Sequence, residues 1–111
     1  MFGPQIPTVT APEVAPGAYL LDVREPDEWT AGHAPGAHHL PMMDVPVRMA
    51  EVPTDADVVV VCRSGGRSGQ VVSYLLGHGW DNVRNLDGGL MAWSAAGREL
   101  VTDDGHPARV L

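Results

Sequence analysis

The sequence predicts an α/β fold built on a parallel sheet, and three observations carry that reading. YLLDV (19–23) and DVVVVC (57–62) are continuous apolar runs, as in strands covered on both faces. Segments of helical character follow them. Turn-forming residues separate the short runs at a spacing typical of alternating strands and helices, which right-handed crossovers connect.

The elements follow in order. After YLLDV, the stretch EPDEWTAGH places Pro26 near a first helical turn with acidic residues around it, which starts a short helix. HAPGAHHLP reads as loop, short strand and turn. Met42 to Glu51 is a second short helix, interrupted by Pro46. Beyond the cysteine, Val71, Val72, Leu75 and Leu76 share one face of a helix that ends at Gly77 or Gly79. NVRNL (82–86) is a further strand, and GGLMAWSAAG (88–97) a last helix presenting Leu90, Met91 and Trp93. VTDDGHPARVL reads as a polar tail.

A chain of 111 residues has room for one domain with a modest core. Seven basic residues against fourteen acidic ones give a net charge of -7, with no sequence-wide attraction to nucleic acid or anionic membranes. No run approaches the roughly 20 apolar residues that span a bilayer, and MFGPQIPTVTAPEV has neither the basic nor the apolar segment of a secretory leader. The expectation is a soluble cytoplasmic protein. The usage of Ala, Gly, Val, Asp, Arg and Pro, without lysine, points to a bacterial genome rich in G and C.

The only cysteine, Cys62, lies where the VVVV run gives way to RSGGRS (63–68). A lone thiol forms no internal disulfide and no CxxC metal site, which leaves an inert core thiol or a reactive one. Glycines, serines and arginines do not build a core. In an open parallel sheet, ligands bind beyond the carboxyl ends of the strands. Gly65 and Gly66 let successive N–H groups turn inward, while the following helix's positive end and the flanking Arg63 and Arg67 lower the thiol pKa from about 8.5. The expected result is a thiolate nucleophile in a small anion cradle.

Other clusters read more plainly. Adjacent His38 and His39 point to opposite faces of a strand, and with His33 they offer no ligand spacing, so no metal is expected. The acids from Asp22 to Glu28 fit a solvated strand end and helix start. Met42, Met43 and Met49 read as packing residues.

Three stretches together resemble the rhodanese-like sulfurtransferase domains: LLDVREPDEWTAGHAPGAHHLP (20–41), VVVVCRSGGRS (58–68) and LDGGLMAW (86–93). The resemblance covers residues 7–100, leaving 101–111 as a C-terminal tail of a single domain, 1–111. It implies a three-layer α/β fold with a central parallel sheet of about five strands flanked by helices. It also implies a catalytic Cys62 that accepts sulfur as a persulfide from an anionic donor such as thiosulfate, then yields it to cyanide, a thiol or a protein acceptor. No cofactor is implied beyond that covalent intermediate.

By the same resemblance Arg63, Ser64, Gly65, Gly66, Arg67 and Ser68 donate N–H groups to the persulfide and attract the donor, while Asp22 and Arg24 of the DVR match brace the loop. His33 and Trp93 match signature positions and read as turn and core packing. Two other functions compete. Dual-specificity phosphatases resemble a Cys-x5-Arg pattern, but only four residues separate Cys62 from Arg67, a cradle better sized for one sulfur than for a phosphate. Some rhodanese-like domains are interaction modules without the cysteine; here cysteine and loop are both present.

Overall fold

The computed structural model describes residues 6–111; the first five residues, which open MFGPQIPTVTAPEV, lie outside the described part. Five strands, β1 (Thr8–Val9), β2 (Tyr19–Asp22), β3 (His38–His39), β4 (Val58–Val61) and β5 (Val83–Leu86), form one sheet in the order β1-β5-β4-β2-β3. All pairings are parallel. The helices are α1 (Pro26–Ala31), α2 (Val45–Arg48), α3 (Gly66–Gly77) and α4 (Gly89–Ala95).

β4 is the central strand and explains the VVVV run. Val58, Val59, Val60 and Val61 are all buried because both sheet faces are covered. Alternation along the strand sends Val58 and Val60 into one cluster with Leu21, Val71, Val72 and Leu75, and Val59 and Val61 into another with Leu20, Leu86, Leu90 and Trp93. Each such side chain contributes roughly 1.5–3 kcal/mol by leaving water. The two clusters lock α3 to one face and α4 to the other, which fixes the connection between β4 and α3 in space.

Several elements differ from the sequence reading. β1 has only two residues and pairs at the sheet edge with Asn85 and Leu86. The 42–51 segment breaks into a 3-10 turn (Met42–Asp44), the four-residue α2 and a second 3-10 turn (Met49–Glu51). Pro46 lies in the first turn of α2, where its missing N–H is harmless, so it opens this helix and does not interrupt it. α3 ends at Gly77, one of the two expected stops.

Residues 101–111 lie along the domain as a strap. His33 and Val101 exchange backbone hydrogen bonds of 2.9 and 2.8 Å, and the Arg109 N–H reaches the Ala31 carbonyl at 2.9 Å. The strap passes so close to Gly32 that a Cβ there would lie 2.5 Å from the Arg109 carbonyl oxygen. Among the described residues no helix is long and apolar enough to cross a membrane.

Candidate active site

Cys62 follows directly on β4, and α3 starts four residues later, so the sulfur sits where strand, loop and helix meet. Gly65 adopts a left-handed conformation (φ +105°), and its N–H donates to the Cys62 Sγ at 3.0 Å. The Ser68 hydroxyl lies 3.2 Å from the same sulfur. Burial is the largest influence on the thiol and pushes its pKa up. The Ser68 hydroxyl and the N–H groups of Ser68, Gly65 and Ser64 act the other way and prevail, so the thiol ionises below the ordinary cysteine value.

The other side of the loop is clamped by α4. Leu90 N–H donates to the Cys62 carbonyl at 2.8 Å and Met91 N–H to the Arg63 carbonyl at 3.0 Å. This contact explains the GG pair ahead of the helix: Gly89 has φ +59°, and a Cβ on it would lie 2.5 Å from the Cys62 and Arg63 carbonyl oxygens. Trp93 is buried behind the clamp, with its indole N–H on the Glu99 carbonyl at 2.8 Å, in the packing position expected of it.

The two loop arginines are engaged elsewhere. Arg67 makes a two-point pair with Glu28 of α1, at 2.6 and 2.9 Å. Arg63 donates through Nε to the Leu111 carbonyl at 2.6 Å. The lowering of the thiol pKa comes mainly from the loop N–H groups and Ser68, and the attraction between Arg67 and the Cys62 thiolate acts in the same direction. The hydrogen bond from Arg67 holds the Glu28 carboxyl at about 2, against burial, which raises it. The folded value lies below the unfolded carboxylate's, about 4.3, so the pair's stabilisation is present above that value and is lost as the pH falls towards 2.

The reading of 22–28 as a solvated face holds for the exposed Glu25 and Asp27 and needs correction at Asp22 and Glu28. Asp22 is fully buried at the end of β2, beside an equally buried Arg24. Arg24 Nε and Nη2 donate to the Asp22 carboxylate at 2.9 and 2.7 Å, and Nη2 also donates to the Gly32 carbonyl at 2.7 Å. The pair ties β2 to the end of α1, and α1 holds the loop through Glu28 and Arg67. Burial is possible because the two charges are paired at close range and further hydrogen-bonded, Arg24 to the Gly32 carbonyl as well as to Asp22. Glu28 is one residue that sequence reasoning missed: its partner is 39 positions distant, and a carboxylate in a first helical turn has an ordinary explanation.

His33 and His39 both stack on Trp29, at 3.6 and 4.8 Å, whereas His38 lies apart from them and stacks on Tyr19 at 4.1 Å. His39 Nε2 also meets the Arg24 carbonyl at 2.8 Å.

A buried central strand that delivers a lone cysteine into a ring of N–H groups defines a class, and comparison with known proteins agrees. The model of the rhodanese-like domain family matches residues 10–96. A sulfurtransferase of Allochromatium vinosum is 46% identical over 86 residues, covering 78% of this chain and 80% of that protein. The thiosulfate sulfurtransferase GlpE of Pseudomonas entomophila is 39% identical over 79 residues, 71% of this chain and 72% of its own. The crystal structure of a rhodanese-related protein from Thermoplasma volcanium superposes with a TM-score of 0.82 at 25% identity, covering 87% of this chain and 99% of that one. The chain belongs to the rhodanese-like domain family, and its five-stranded parallel sheet flanked by helices is that family's fold.

Proposed function

We propose that the protein is a sulfurtransferase in which Cys62 carries sulfane sulfur from an anionic donor such as thiosulfate to a thiophilic acceptor such as cyanide, a thiol or a protein cysteine. The observation that carries this reading is the Cys62 sulfur held by the Gly65 N–H at 3.0 Å and the Ser68 hydroxyl at 3.2 Å. The names of the sulfurtransferase relatives support it.

In the first step the Cys62 thiolate attacks the outer sulfur of thiosulfate. A new S–S bond forms, the donor's own S–S bond breaks, and sulfite leaves with the electron pair. In the second step cyanide attacks the outer sulfur of the persulfide and leaves as thiocyanate, and the electron pair returns to Cys62 as thiolate. Both steps place negative charge on sulfur, where N–H groups already directed at it stabilise charge without reorganising. Cys62 is only 1% exposed, which suits a donor whose sulfane sulfur stands at its tip. Arg67 and Arg63 at the rim draw in the sulfonate end, Arg67 with its charge partly balanced by Glu28. Asp22 and Arg24 act only as a brace.

Steady-state formation of thiocyanate from thiosulfate and cyanide tests the rim. Arg67→Ala is expected to raise KM for thiosulfate about tenfold through loss of one charged contact. The melting temperature should hardly change, since a partly exposed ion pair is worth about 0–1 kcal/mol. A fall in stability that matches the fall in activity would make Arg67 a structural brace and not a binding group.

A further inference from the structure

One buried polar side chain beside the cradle has no part in the chemistry above. Asn85, on β5, is 9% exposed, and its backbone is fixed between neighbouring strands: its N–H donates to the Pro7 carbonyl at 2.8 Å. Its amide nitrogen donates to the Gly65 carbonyl at 3.1 Å. A carbonyl only accepts, so this bond sets the orientation of the amide and turns Oδ1 towards the Ser68 hydroxyl, 2.5 Å away.

Ser68 has a single proton and two neighbours that could take it. Asn85 Oδ1 only accepts, so at this short distance the proton lies on the line to Asn85 and a lone pair faces Cys62 Sγ. That arrangement suits a protonated thiol, whose S–H donates to Ser68. A thiolate only accepts, and its best partner is a Ser68 hydroxyl rotated to face it.

We infer that Asn85 is a positioning residue for Cys62: its amide oxygen keeps the Ser68 proton away from the sulfur while the thiol is protonated and releases it when the sulfur carries charge. No proton passes between Ser68 and Asn85. The hydroxyl rotates about its Cβ–Oγ bond, and the thiol proton leaves to solvent. The amide nitrogen has a separate task, holding the Gly65 carbonyl so that the Gly65 N–H stays directed at sulfur. Asn85 thus opposes ionisation through Ser68 and favours it through Gly65.

Among the described residues, the charged side chains on the segments flanking the loop are Asp22 and Arg24 at the end of β2, Glu28 of α1, Arg63 and Arg67 on the loop, and Asp87 between β5 and α4, and of these Arg67 attracts the Cys62 thiolate. Replacing Ser68 or Asn85 by alanine changes none of them. The inference rests on Cys62 as the reactive thiol. Its test needs no sulfur donor, so a failure of the sulfur-transfer reading leaves it readable.

The test is the pH dependence of Cys62 alkylation by iodoacetamide in the wild type, S68A, N85A and the double variant. S68A is expected to raise the midpoint, since one donor to the thiolate is lost. N85A is expected to move the midpoint at least about half a pH unit further downward when Ser68 is present than when it is absent. Equal N85A shifts in the two backgrounds would overturn the inference, because a loop merely loosened at Gly65 needs no Ser68. If N85A does not fold, N85D serves instead. Its carboxylate grips the Ser68 proton harder, so the midpoint must rise more with Ser68 present than without, and equal rises would overturn the inference as well.

Discussion

Arg24→Met is expected to lower the free energy of unfolding by about 3–5 kcal/mol, a large part of the total for a domain this size. Both members of the Asp22 and Arg24 pair are fully buried, and the guanidinium bonds both carboxylate oxygens as well as the Gly32 carbonyl. Its removal strands a carboxylate and a carbonyl away from water, and that desolvation is the source of the loss. Replacing Asp22 and Arg24 together by apolar residues of similar volume should recover most of the stability, since no buried charge remains. Urea unfolding of the single and double variants measures both effects. A single-variant loss under about 1 kcal/mol would mean that water reaches the pair and that it braces nothing.

Gly89→Ala should damage the site more than any other single methyl group. The residue stands at φ +59°, where a side chain costs about 1–2 kcal/mol. Its Cβ would also meet backbone atoms of Cys62 and Arg63 at 2.5 Å. Backbone cannot swing aside as a side chain can, so either α4 or the cysteine loop must shift. A displacement of about 1 Å at reacting atoms is worth on the order of a hundredfold in rate. The variant is therefore expected to lose about that factor in thiocyanate formation, measured at a temperature where circular dichroism reports it folded. Gly77→Ala, whose Cβ meets nothing within 4 Å, should behave like the wild type. Wild-type turnover in a folded Gly89→Ala protein would show that the α4 clamp does not hold the sulfur.

What was legible in the sequence follows from which interactions leave a local mark. β4, and β2 up to the buried Asp22 at its end, announced themselves because strands covered on both faces carry continuous apolar runs. α3 was legible because Val71, Val72 and Leu75 repeat on one face ahead of Gly77. β1 was not, since two residues close to prolines leave no pattern and the strand exists only through its pairing with β5. Nor was the docking of 101–111, which rests largely on backbone hydrogen bonds to Ala31 and His33 and on the absence of a side chain at Gly32. In the site, the cysteine and its glycine loop were plain from composition. The partners were not: Glu28 for Arg67, Asn85 for Ser68 and the Leu111 carbonyl for Arg63 are all distant in sequence, and a charge or an amide does not show whom it will meet.

Intact mass after exposure to thiosulfate tests the persulfide most directly, because Cys62 is the only thiol in the chain. The wild type should gain the mass of one sulfur atom and return to its starting mass on addition of cyanide, while Cys62→Ser should gain nothing. A folded wild type that takes up no sulfur, or an equal gain on Cys62→Ser, would contradict sulfur transfer through this cysteine.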